Sequence, residues 1–130
     1  MKLAAFSVLA VVAGFAVATA SIFGIRFIVE RFTDIGTIQW HSSPPYTWGG
    51  LTTNLLGLAI SVATGGFVAA RIANRSSVWH AVAVGICCMA THELPREIYP
   101  IWFSVLSSIA VLPASVLGGW VAALTNKAVM

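Results

Sequence analysis

Charge in this chain is confined to five short clusters: Lys2; Arg26, Glu30, Arg31 and Asp34; Arg71 and Arg75; Glu93, Arg96 and Glu97; and Lys127. Between them run four charge-free stretches, 3–25, 35–70, 76–92 and 98–126. Each has room for a helix of about 20 residues, enough to cross a hydrocarbon core of roughly 30 Å. The pattern predicts an all-α fold, a four-span transmembrane helical bundle. Its spans fall at about 3–25, 49–70, 76–94 and 101–125, with an outer loop at about 26–48, and residues 1–130 form one integral membrane domain. Composition agrees, since 58% of the residues are hydrophobic and 8% charged, against about 25% charged in a soluble domain.

The same numbers exclude several function classes. A net charge of +3 sets seven basic residues against four acidic ones; the basic ones are scattered over the clusters and make no basic stripe, so no nucleic-acid partner is expected. Cys87 and Cys88 are adjacent in an apolar stretch, which fits neither a zinc spacing nor a disulfide framework, and they read as small packing residues. Ala18-Thr19-Ala20 before Ser21 resembles a signal-peptide cleavage site. Against cleavage, the apolar run continues from Leu3 to Ile25, longer than the usual h-region of about 7–15 residues, so residues 1–20 are expected to stay as part of the first span.

Helix breakers and charge set the connections. Gly36 and Pro44-Pro45 mark a non-helical loop before Trp48 opens the second span. The short link from Arg71 to Ser77 makes the second and third spans antiparallel neighbours. Pro95 and Pro100 bracket the turn into the fourth span, where Pro113 removes one backbone bond and predicts a kink. The link with Arg71 and Arg75 carries no acid, which places it and both termini in the cytoplasm. The opposite boundary gathers Trp40, Tyr46, Trp48, Tyr99 and Trp102 as an aromatic belt, with Trp79 and Trp120 at the inner one.

A repeat organises the second and fourth spans. Gly65-Gly66-Phe67-Val68-Ala69-Ala70 recurs 53 residues later as Gly118-Gly119-Trp120-Val121-Ala122-Ala123, identical at five of six positions. In that register Gly57, Ser61, Gly65 and Ala69 align with Ala110, Ala114, Gly118 and Ala122. Lipid gives little hydrophobic drive for helix association, so spans pack where small residues let backbones approach. These two stripes are the expected helix-packing seams, within the chain or between chains, and the spans form two tandem hairpins related by a two-fold axis along the membrane normal.

Chemistry-bearing residues are few. No span carries a charge near its middle, which disfavours a proton-driven pump. His92, Glu93 and Glu97 offer metal-ligand or acid–base chemistry, but not at the spacing of a zinc helix. A turn whose charges pair with one another explains them more simply. Thr52, Asn54, Ser107 and His92 gather toward the outer side as a possible polar pathway, or as hydrogen-bonding glue between helices. Arg71, Arg75 and His80 are candidate contacts for anionic headgroups. No catalytic motif, metal site or cofactor site is read from the sequence.

The run Gly65 to Ala73, with His80 and Gly85 beyond it, resembles small uncharacterised four-span bacterial membrane proteins that share a G-G-[YF]-V-A-A-R-[IL]-A segment. That resemblance implies a bacterial inner membrane and assigns no chemistry. Trp48-Gly49-Gly50-Leu51-Thr52-Thr53-Asn54-Leu55-Leu56-Gly57 is similar to the W-G-T-L-x-V-N-L-L-G segment of small four-span fluoride channels, which would put Asn54 beside a pore. The first span lacks that family's glycine-rich stretch ending in Arg, and the third lacks its G-G-x-T-T-F-S-T-F segment. The leading expectation is a non-enzymatic accessory or assembly component, a homo-oligomer or one bound to other membrane subunits. A channel or transporter formed by an oligomer is the alternative, and an enzyme of lipid or cell-envelope precursors the third.

Overall fold

The computed structural model describes residues 2–32, 47–73, 77–92 and 99–128. They carry four helices, α1 (Lys2–Phe32), α2 (Trp48–Ala73), α3 (Ser77–Thr91) and α4 (Ile101–Ala128), and no strand. Of the outer loop expected at about 26–48, residues 26–32 are helical and extend α1 past the end expected at 25, and 33–46 lie outside the described residues, as do Arg75 in the second link and Glu93, Arg96 and Glu97.

Local chemistry sets the helix ends. Thr47 precedes α2, and its Oγ1 accepts the Gly50 N–H at 3.0 Å, an N-cap for one of the amides that a helix start leaves open. The Pro100 carbonyl accepts the N–H groups of Phe103 and Ser104 at the start of α4. Pro113 lies within α4, which runs through it unbroken. Helix α3 stops at Thr91, short of the expected 76–94.

Helices α1, α2 and α4 are each long and apolar enough to cross a membrane. The apolar α3 has 15 residues and measures about 22 Å at 1.5 Å per residue. Large apolar side chains cover the outside, with Phe6, Phe23, Phe27, Ile60 and Ile109 each more than half exposed. Such a surface is matched by hydrocarbon, and the protein is a membrane protein.

Contacts across the bundle give its topology. Gly14 meets Gly65 and Gly57 meets Ile25, so α1 and α2 run antiparallel. Ser115 meets Ala81 and Ser107 meets His92, so α3 and α4 do the same. Asn54 reaches Tyr99 while Arg71 reaches Asn126, so α2 and α4 run parallel. The two tandem hairpins are therefore present. Their relation is not a two-fold along the bundle axis, because that operation would match the α2–α3 contact with one between α1 and α4, and none exists among the described residues. The helices instead form a ring in the order α1, α2, α4, α3, with α2 and α3 touching across it.

Small residues make the seams. A Cβ on Gly65 would lie 2.5 Å from the Gly14 carbonyl oxygen, and one on Gly14 would lie 2.6 Å from that of Gly65. Real side chains never sit that close, so the pair is fixed as glycine by the approach of the two backbones. Gly66, the next residue, faces α4, where a Cβ would collide with the Ser115 carbonyl, and Gly118 faces the Ala63 carbonyl in the same way. Gly65 thus packs on α1, whereas its repeat mate Gly118 packs on α2. Ser115 also donates from Oγ to the Ala81 carbonyl of α3 at 2.6 Å. Between the seams Leu58, Val62, Val84 and Val111 fill the middle of the bundle.

Adding one methyl group tests the seam. Gly118→Ala should lower stability by about 1–3 kcal/mol, the usual cost of overpacking. Gly24→Ala, with nothing within 4 Å of the new Cβ, should leave it unchanged or slightly raised. Unfolding of the purified protein in detergent measures both, and equal effects would contradict the seam.

Candidate functional site

The polar side chains collect at the end of the bundle where α2 and α4 begin, here termed the distal end. An aromatic cluster holds those two helix starts together. Trp48 stacks on Trp102 with ring centroids 5.7 Å apart, Tyr99 stacks on Phe103 at 5.5 Å, and Trp102 meets Phe103 edge-on at 5.8 Å. Leu51, Tyr99 and Phe103 are buried together, with Leu55 against them. Aromatic pairs in these geometries add to the area they bury, so the distal end is built rigidly around α2 and α4.

Two polar pairs cross between elements there. Asn54 Nδ2 donates to the Tyr99 hydroxyl at 3.4 Å, joining α2 to the approach to α4. His92 Nε2 lies 3.2 Å from Ser107 Oγ, joining the end of α3 to α4. The repeat aligns Asn54 with Ser107, and each bonds a different partner. Ser107 Oγ and Ser108 Oγ also reach the Ser104 carbonyl, at 3.0 and 2.8 Å. Thr52 and Thr53 turn back on their own helix, donating to the carbonyls of Trp48 and Gly49 at 2.9 and 2.8 Å. A hydroxyl bonded to its own helix is satisfied without a neighbour and leaves its methyl free to face lipid or a partner helix.

A cleft of about 120 Å³ opens between α1 and α2 beside Asn54. Arg26, Thr53, Asn54 and Tyr99 supply its polar rim, and Ile22, Ile25 and Leu58 its apolar wall. Burial pushes the Tyr99 hydroxyl above its ordinary pKa, while the positive charge of Arg26 and the Asn54 hydrogen bond pull it down. Arg26 itself is exposed, near the end of α1.

The remaining sequence candidates fall elsewhere. Ser61, Gly65, Ala69, Ala114, Gly118 and Ala122 are buried, and Gly57 and Ala110 half-buried. Ser61 Oγ donates to the Gly57 carbonyl at 2.7 Å. At the proximal end, where α2 and α4 finish, Arg71 Nη1 donates to Asn126 Oδ1 and ties the two helices together. His80 is half-buried beside Trp79 in a groove formed with Val8, Val11 and Val12 of α1. Cys88 packs into the core and Cys87 faces outward. Among the described residues no three His, Cys, Asp or Glu side chains stand close enough to hold a metal; Glu93 and Glu97 lie outside those residues.

Ser115, Gly14 and Tyr99 carry more of the packing than the sequence suggests. The four-residue stripe through Ala114 passes beside Ser115, whose hydroxyl becomes visible only once α3 is placed against it. No protein-family model, curated protein or solved structure matches this chain.

A double-mutant cycle on His92→Ala and Ser107→Ala should return a coupling of about 0.6 kcal/mol, with an upper bound near 1.7, as for hydrogen bonds between membrane helices. It is read from unfolding in detergent; additive single effects would mean that the two residues act separately.

Proposed function

We propose that this chain is a four-span bacterial inner-membrane protein, with both termini in the cytoplasm, that serves as a non-enzymatic accessory or assembly component and docks other membrane subunits through its outer face. The observation that carries this reading is on α1. Ala16, Ala20 and Gly24 recur every fourth residue along its exposed side, and a Cβ on Gly24 would meet nothing within 4 Å. The inward stripe of the same helix, Ala10, Gly14 and Ala18, is buried against its neighbours. A second row of small residues, turned outward, gives a further helix a surface on which backbones can approach.

Two other features favour this reading over catalysis or transport by a single chain. The middle of the bundle is filled by Leu58, Val62, Val84 and Val111, and the polar pairs stop above them. Small-residue seams inside the chain are already occupied, so association has to use the outside. The likeness of residues 65–73 to four-span bacterial membrane proteins supports the location, and the basic link with Arg71 and Arg75 supports the orientation.

Native mass spectrometry of the tagged protein, extracted gently at its natural abundance, should find it with stoichiometric foreign subunits. Gly24→Leu should strip those subunits while leaving the unfolding midpoint of the chain itself unchanged. Recovery of the chain alone, as a homodimer or larger ring, would overturn the accessory reading and favour a pathway through Asn54 and His92 in an oligomer, to be tested by flux in proteoliposomes.

A further inference from the structure

The cleft between α1 and α2 is lined by neutral hydrogen-bond donors that the protein itself leaves unused. Tyr99 is only 6% exposed, and it borders the space together with Asn54. The 3.4 Å bond between their side chains is the one hydrogen bond that either makes among the described residues. The pair has one hydroxyl O–H and two amide N–H groups to give, and that bond uses one of the three. Two donors remain, whichever way the amide is turned. Burial pushes the Tyr99 hydroxyl above its ordinary pKa, so the phenol keeps its proton. A buried donor left without an acceptor costs free energy. The same space is lined with aliphatic carbon from Ile22, Ile25, Val29 and Leu58. A Cβ on Gly57 would press to 3.2 Å from Ile25 Cγ2, so the missing side chain helps to keep the cleft open. Its volume of about 120 Å³ approaches that of cavities that take up a benzene-sized group. Water alone would meet the donors but would lie against that carbon with few polar partners.

We propose that this cleft takes up the acyl ester of a membrane lipid, its carbonyl oxygen accepting from the Tyr99 hydroxyl and the Asn54 amide and its first methylenes lying against Ile22, Ile25 and Leu58. A carbonyl oxygen has two lone pairs and no net charge, which matches two neutral donors. Ester groups lie just beneath the headgroups of a bilayer. Trp48 and Trp102 set that level at the starts of α2 and α4, and Asn54 follows Trp48 by less than two helical turns. The headgroup stays outside the cleft, so recognition does not depend on its charge. This inference is separate from the accessory reading, which rests on the outward row of Ala16, Ala20 and Gly24.

The test uses the full chain, purified and delipidated in a neutral maltoside. It is titrated with diester phosphatidylcholine or with the diether analogue, which keeps the headgroup and chains but lacks the carbonyls, and bound lipid is counted by native mass spectrometry. One diester lipid should bind saturably, about five- to tenfold more tightly than the diether, the ratio that one hydrogen bond gives. Diester phosphatidylglycerol should bind like diester phosphatidylcholine. Tyr99→Phe keeps the ring that stacks on Phe103 and should reduce the ester preference. Combined with Asn54→Leu it should abolish that preference, while circular dichroism shows the helices intact. Equal binding of diester and diether by the unaltered chain would overturn the proposal before any variant is made. An ester preference that survives in the double variant would overturn the assignment to this cleft. A preference for phosphatidylglycerol over phosphatidylcholine larger than that for ester over ether would overturn recognition by neutral groups.

Discussion

Close approach of backbones holds this molecule together. A bilayer offers its helices an apolar solvent as good as their own side chains, so burying leucine against leucine gains little over leaving both in lipid. What remains is packing density, and density is greatest where no side chain keeps two backbones apart. The glycine pair Gly14 and Gly65 meets that condition on one side of α2, and Gly66 with Ala63 and Gly118 meets it on the other. Every other contact of the bundle is arranged around this double-faced helix, which touches all three of its neighbours.

The polar residues follow from the same constraint. A hydroxyl in hydrocarbon has to find an acceptor, and Thr19, Thr53, Ser61, Ser108 and Ser115 find one in their own helix or in the next, whereas among the described residues the buried Ser104 Oγ of α4 has none. Ser61 and Thr53 bond backward, so they occupy a seam or a surface without demanding a partner. Ser115 and Asn54 reach across to other elements and fix the rotation of one helix against another. The distal end thereby acquires both rigidity, from the stacked aromatic rings, and a polar rim with a cleft beside it.

Much of this was legible in the residues. Charge placement separated the four helices, because an ion in hydrocarbon is the most expensive error a span can make, but it did not give the end of α1, which carries the first charge cluster on to Phe32. The four-residue spacing of small residues marked the helix faces that pack, since that spacing returns to one face of an α-helix. Which neighbour each face meets was not legible. Gly65 and Gly118 stand in equivalent positions of a repeated segment yet contact different helices, because an internal repeat records a shared local pattern and says nothing of the rotation between its copies. The two-fold arrangement expected from that repeat failed for this reason. Tyr99 and Arg26 were likewise read from their place in the chain as boundary residues. Their common position beside Asn54 depends on how α1 lies across α2, which no local pattern encodes.

The adjacency of Gly65 and Gly66 has an implication for how such a sequence can change over evolutionary time. Consecutive positions of a helix point about 100° apart, so these two glycines divide α2 between two partners with no spare residue between them. Insertion or deletion of a single residue between Asn54 and Gly65 would turn the aromatic, hydrogen-bonded half of the helix by that angle against the glycine half, and both could not stay engaged. Exchanges of one aliphatic side chain for another at lipid-facing positions such as Leu56 or Ile60 leave that phase untouched. Descendants of this chain are therefore free to drift in composition along the lipid-facing side of α2 but not in the length between Asn54 and its glycines.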